Sequence, residues 1–368
     1  MKTCSFPDKL GVSITWGDVI SACSKWELIS DKGIHLGAGS YGNVTGAELI
    51  HKGKKKNVAI KTIVVQPKTN TRLKDETLRE MDYVNKMGTQ NIGPRIYENL
   101  WLEYKDVDIA AILMERFQMN GAEALRNPSI TKSLKKKILR KMVKLIHLML
   151  HEGMYCYDIK PNNFVVNLKP LKVRMIDFGG QFCDDEPRAF IGHLREEVKG
   201  YMDAPPQVGH LQTVVSGIWG GDMTDDIMAI TKLKKGYADK IFFTLIMIPF
   251  ILESSRYLRD YGEVLEVFRP FLYRLCKEKV LQIAVGLFVV SDAPVFVTFS
   301  HYTAPFIKPH HNFNQKRERL LFFKRVIDRV CALLEDIHVR RSHRSRRSRR
   351  SRRSHRSRRR SRHKRRRR

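Results

Sequence analysis

The sequence predicts an α+β protein of two lobes, a small antiparallel-sheet lobe with one helix followed by a mostly helical lobe, plus a disordered basic tail. Three observations point there. Between about Gly33 and Phe117, short β-branched runs alternate with glycine turns, a strand pattern. From about Leu134 onward, apolar residues recur at helical spacing. Finally, Arg340 to Arg368 holds 18 Arg, one Lys and no acid in 29 residues. The expected boundaries are an N-terminal extension at 1–30, the sheet lobe at 31–117, the helical lobe at 118–338 and the tail at 339–368.

Composition bounds the rest. The chain has 368 residues, 42% of them hydrophobic, enough for one large core or two modest lobes. Subtracting the tail's 19 cations from the formal charge of +30 leaves +11, so the body is moderately basic and the tail extremely so. That balance suits a polyanion, nucleic acid or an acidic protein. Cys4, Cys23, Cys156, Cys183, Cys276 and Cys331 form no C-x-x-C pair, so neither a zinc site nor a disulfide framework is expected, and a reducing compartment is. Met1 to Asp31 lacks the pattern of a signal peptide. The longest apolar run, Ile241 to Leu252, has 12 residues and contains Pro249; a membrane span needs roughly 20, so a buried helix is expected and no membrane partner.

Taken in order, from Leu134 to His151 the apolar residues Leu134, Ile138, Leu139, Met142, Val143, Ile146, Met149 and Leu150 recur at helical spacing with Lys135, Lys136, Arg140, Lys141 and Lys144 filling the remainder, and Gly153 ends the helix. Phe164 to Met175 reads as a hairpin split at Lys169 and Pro170. Helical patterns dominate from Asp226 to Ile337. In the tail, serines at 342, 345, 348, 351, 354 and 357 repeat every third residue among arginines, a composition that cannot offset its conformational entropy by burial.

Four motifs carry chemistry. In Gly37-Ala38-Gly39-Ser40-Tyr41-Gly42-Asn43-Val44, three glycines let backbone amides approach phosphate oxygens, and Val44 would cover a flat base. In Val58-Ala59-Ile60-Lys61 the alternation puts Ala59 and Lys61 on one face, so a small residue admits the base while the amine reaches phosphates. In Leu78-Arg79-Glu80-Met81, 19 residues past Lys61, Glu80 would hold that ammonium, with Glu76 one turn away as the alternative. The fourth is the pair Tyr157-Asp158-Ile159-Lys160-Pro161-Asn162-Asn163 and Met175-Ile176-Asp177-Phe178-Gly179, whose aspartates lie 19 residues apart. Phosphoryl transfer needs an acid at the attacking hydroxyl, a cation on the migrating group and oxygen ligands for magnesium. Asp158, Lys160, and Asn163 with Asp177 supply these in turn.

In this order the motifs resemble the eukaryotic protein kinases over roughly Leu36 to Ile337. The lysine two residues after Asp158 is similar to the serine/threonine branch, and the compact build looks most like the kinases of large DNA viruses that infect algae, the chlorella viruses. The resemblance implies a bilobal kinase fold, an ATP cofactor with Mg2+ (or Mn2+), a protein substrate bearing Ser or Thr, and an intracellular setting in host cytoplasm or nucleus. Carried over, Leu36, Val44 and Ala59 would line the adenine pocket from above and Val165 from below. Met114 would guard its back and Glu115 to Phe117 would form the hinge. Gly37, Gly39 and Gly42 would cradle phosphates, Lys61 would hold them and pair with Glu80, Asp158 would accept the substrate proton, and Asn163 and Asp177 would bind the metal.

Three departures stand out. Cys156-Tyr157-Asp158 replaces H-R-D, so the arginine that pairs with a phosphorylated activation loop is absent. The A-P-E motif is at best Ala204-Pro205-Pro206, and either Asp226 or Asp239 could fill the aspartate of the central helix. Two other functional classes compete: a pseudokinase that only binds, and a nucleic-acid-condensing protein with a kinase-like domain. The first would show by loss of Lys61, Asp158 or Asp177, and all three are present.

Overall fold

A computed structural model describes residues 2–5, 26–39, 42–103, 107–179, 183–184, 235–258, 261–279, 281–283 and isolated positions between 321 and 332. The chain divides into two units, Met1–Ile191 with Ile246–Leu258, and Gly192–Leu245 with Arg259–Arg368.

The first unit is organised by a six-stranded sheet. Its strands are β1 (Lys2–Ser5), β2 (Glu27–Gly39), β3 (Gly42–His51), β4 (Lys54–Val65), β5 (Ile96–Glu103) and β6 (Asp108–Glu115), in the order β1-β5-β6-β4-β3-β2. Neighbours from β2 to β6 are antiparallel, as the sequence predicts. The segment read as an extension contributes more than that reading allowed: β1 pairs in parallel with β5, and β2 starts at Glu27.

Alternation along β4 sorts the core. Val58 and Ile60 point to one face with Leu49, Leu100, Leu102 and Leu113. Ile63 and Val65 point to the other, where they pack with Met81, Trp101, Ala110 and Ile112. Met81 belongs to α1 (Thr71–Thr89), which begins at Asn70, whose side chain accepts from the Leu73 N–H at 3.0 Å. By the same alternation Lys61 lies on the face that α1 covers.

After β7 (Met119–Asn120), a capping box formed by Asn120 and Glu123 starts α2 (Gly121–Arg126). Thr131 caps α3 (Lys132–His151), which buries Ile138, Leu139, Met142, Leu145, Ile146 and Met149. Gly153 follows at φ +75°, a backbone state glycine adopts without penalty. Next come β8 (Tyr155–Cys156), a 3₁₀ turn (Pro161–Asn163), and the predicted hairpin β9 (Phe164–Leu168) and β10 (Leu171–Met175). A short β11 (Cys183–Asp184) pairs antiparallel with β8.

The apolar run lies in α4 (Lys235–Leu258), a helix longer than the 12-residue run suggests, and the unit division falls inside it. Asp239–Leu258 is long and apolar enough to cross a membrane, but 81% of that window is buried within the protein. In the second unit, α5 (Tyr261–Lys277) sets Phe271 edge-on to Phe243 at 5.3 Å. The Ala204-Pro205-Pro206 segment, Asp226 and the tail lie outside the described residues.

The expectation of unpaired cysteines is overturned. Cys156–Cys183 and Cys276–Cys331 are disulfides, 27 and 55 residues apart in sequence. Local spacing could not reveal them, because the partners meet through tertiary pairing; Cys156 and Cys183 stand opposite each other across β8 and β11.

Candidate active site

Lys61 and Glu80 form an ion pair with only 15% and 5% of their side chains exposed. The same ammonium reaches Asp177 Oδ1 at 3.4 Å. Burial pushes the Lys61 pKa down, but Glu80 and then Asp177 more than offset it, and the net direction is up. Glu76, the alternative partner, bonds Arg72 at 2.9 Å instead.

The turn that follows β8 gathers the second set. Lys160 Nζ lies 2.7 Å from Asp158 Oδ2. The Asn163 side-chain amide donates to the Asp158 carbonyl oxygen at 2.8 Å and to its carboxylate at 3.2 Å, which turns the Asn163 side-chain oxygen to other use. The Ile176 N–H donates to the Asn163 carbonyl at 2.8 Å, tying this turn to the strand end that carries Asp177. Asp177 itself sits at φ +67°, a left-handed conformation costly for a residue with a Cβ. Phe178 behind it is buried.

Around these groups, β2 and β3 pair Gly37 with Val44 and Gly39 with Gly42; the Ser40-Tyr41 tip is outside the described residues. A Cβ at Gly42 would meet the Thr62 carbonyl oxygen at 2.1 Å, whereas one at Gly37 would meet nothing within 4 Å. Gly42 is therefore required for strand packing, and Gly37 borders open space. Ala59 is buried opposite Met114 on β6, Val165 and Val44 are half-buried, and Leu36 is exposed. The Glu115 N–H is engaged by the Arg95 carbonyl, and its carboxylate takes Lys172, whose ammonium also lies 5.6 Å from the Phe117 ring centroid.

An ammonium held by two carboxylates, and an acid held by a lysine and an amide, form the constellation the four motifs describe. Residues 31–184 match the protein kinase domain family. The match supports a eukaryotic-type protein kinase with phosphotransferase activity, and kinase domains generally use ATP and Mg2+. It ends at β11, short of the Ile337 limit that the sequence resemblance suggests. No curated protein shows significant similarity to the chain. The donor set suits magnesium: an Asp177 carboxylate, 43% exposed, and the Asn163 side-chain amide oxygen are hard oxygen ligands of the kind that share the ion with phosphates. Among the described residues no group of three or more His, Cys, Asp or Glu could cage a metal by itself.

Sequence reasoning missed a contact at the turn that carries Asp158 and Asn163. Tyr257 Oη donates to Glu253 at 2.6 Å and lies 3.2 Å from Asn162 Oδ1. Glu253 is buried with Oε2 unpartnered, and burial pushes its pKa up. The Tyr257 hydroxyl is raised to about 12 by burial and by Glu253. The available signal was polar residues at 253 and 257, four apart, directly after the apolar run.

Proposed function

We propose that the protein is a serine/threonine kinase that transfers the γ-phosphoryl group of ATP to Ser or Thr hydroxyls of protein substrates, with Mg2+ or Mn2+. The observation that carries this reading is the Asp158–Lys160 pair at 2.7 Å beside Asn163. Asp158 would accept the proton of the attacking hydroxyl and orient its oxygen. Lys160 would place positive charge on the migrating group, where charge develops during transfer. Lys61, fixed by Glu80, would hold the α- and β-phosphates; Asn163 and Asp177 would hold the metal, which supplies charge neutralisation between the phosphates. Leu36, Val44, Ala59 and Val165 would sandwich the adenine, with Met114 behind it and Glu115 to Phe117 as the hinge.

The Arg-Ser tail belongs to the same reading as a polyanion-binding arm, for nucleic acid or acidic partners, inside the cell. It carries phosphate-contacting cations and no aromatic residue, so it would bind without reading bases. Kinship with the chlorella-virus kinases is supported by the compact build and divergent second half alone. The test is incubation of the full chain with labelled ATP, Mg2+ and peptides differing only in Ser, Thr or Tyr as acceptor. Label on Ser and Thr alone is expected; label on Tyr, or on none, would reject the assignment.

A further inference from the structure

The exposed face of α3 is cationic from Lys137 to Lys144. Lys137, Arg140, Lys141 and Lys144 are all exposed, and none makes an ion pair among the described residues. At 100° per residue they fall within a stripe about 100° wide, and Lys137 and Lys144 are about 10 Å apart along the axis. The buried residues of α3 lie on the opposite side, so the stripe is the solvent face and not a by-product of packing. The helix contains no acid in its 20 residues. A solvated helix face ordinarily mixes signs, since Glu–Lys pairs one turn apart stabilise it and like charges there repel. Four unpaired like charges on one stripe cost the isolated protein stability, and an anionic partner would offset it.

We propose that this face of α3 docks the phosphate backbone of duplex nucleic acid. A membrane surface needs apolar anchors among the cations, and the one large apolar residue exposed on this helix is Leu148 near its end. Single strands are held largely by stacking on aromatic rings, and α3 has no Phe, Tyr or Trp. An acidic polypeptide offers irregular charge, whereas a duplex offers a continuous lattice of phosphates that four cations spread over about 10 Å of one helix face can engage together. Contact is with phosphates, so binding is independent of sequence. The inference goes beyond the kinase reading and does not rest on it.

The test compares the full chain with a variant carrying Lys137→Gln, Arg140→Gln, Lys141→Gln and Lys144→Gln, measuring anisotropy of a fluorescent duplex across a salt series. The log–log slope should become shallower by about 3 to 4 if each cation neutralises one phosphate. A variant with the three lysines changed to arginine should keep the wild-type slope, which separates charge from folding. In acetylation footprinting of the wild-type chain, duplex should protect Lys137, Lys141 and Lys144 but not the exposed Lys55 on β4. An unchanged slope with no protection would overturn the proposal. Equal protection by poly-glutamate at matched charge would overturn the nucleic-acid assignment and make the face an acidic-protein site.

Discussion

Asn163 grips Asp158 twice, through its carbonyl oxygen at 2.8 Å and its carboxylate at 3.2 Å. One side chain therefore sets both the backbone and the rotamer of the proposed base. Asn163→Ala should reduce turnover and raise the Mg2+ concentration needed for half-maximal activity, because a positioning bond and a metal oxygen are lost together. Asn163→Asp would keep the metal oxygen but set a second carboxylate against Asp158, so its loss should fall more on turnover than on Mg2+ dependence. A magnesium titration of both variants checks this.

The Lys61–Glu80 pair makes a stability prediction. Replacing Glu80 with Gln leaves a nearly buried ammonium with Asp177 as its remaining anion, at a cost of roughly 3 kcal/mol. The Lys61 pKa is raised above its ordinary 10.5, so the stability it contributes is fully present below that value and is lost only as pH rises through the higher folded value. Urea unfolding should therefore show the wild-type advantage over Glu80→Gln undiminished at neutral pH and shrinking only in strong alkali.

Glu253 gives the same sign of pH dependence over a lower window. Its pKa is raised above 4.5 by burial, so its favourable protonated form is kept below 4.5 and the stability is lost as pH rises through the folded value. Glu253→Gln should thus be more stable than wild type at neutral pH, by on the order of 1 kcal/mol, with the difference fading in acid. Thermal melts across the acid range measure it.

Sequence alone reached the pairings set by periodicity. Alternation put Ala59 and Lys61 on one face, and the hairpin at Lys169-Pro170 appears with Leu171 opposite Leu168. It put Glu80 first and kept Glu76 as the alternative, because residues four apart share a helix face; the packing of Met81 onto Trp101 and Ile112 sets which turn meets β4, and Lys61 pairs with Glu80. It could not reach Cys156 with Cys183, or Tyr257 with Asn162, since each depends on where chain segments return in space.

The Cys156–Cys183 bridge closes a loop that ties β8, two residues before Asp158, to β11, six residues after Asp177. Chain-entropy reasoning gives about 3 to 4 kcal/mol for a loop of this length. Cys156→Ser should lower the melting temperature under oxidising conditions, and in reductant, which opens Cys276–Cys331 in both proteins as well, variant and wild type should melt alike. Differential scanning fluorimetry with and without reductant reads both.

Tyr157 stands where the protein kinases that the sequence resembles carry a phosphate-pairing arginine. A loop phosphate would lack its main charge-assisted partner there. Phosphatase treatment should leave turnover on a peptide substrate nearly unchanged. Silencing that reverses on rephosphorylation would show another cation serving in its place.

Phosphotransfer by paired variants bears most directly on the central claim. With labelled ATP, Mg2+ and a serine peptide, Asp158→Ala should lower turnover by roughly 10² to 10⁴, and Asp177→Asn should abolish it by removing the full charge from the metal. Both variants should melt as wild type does. Turnover near wild type in both would contradict the assignment of this site to phosphoryl transfer.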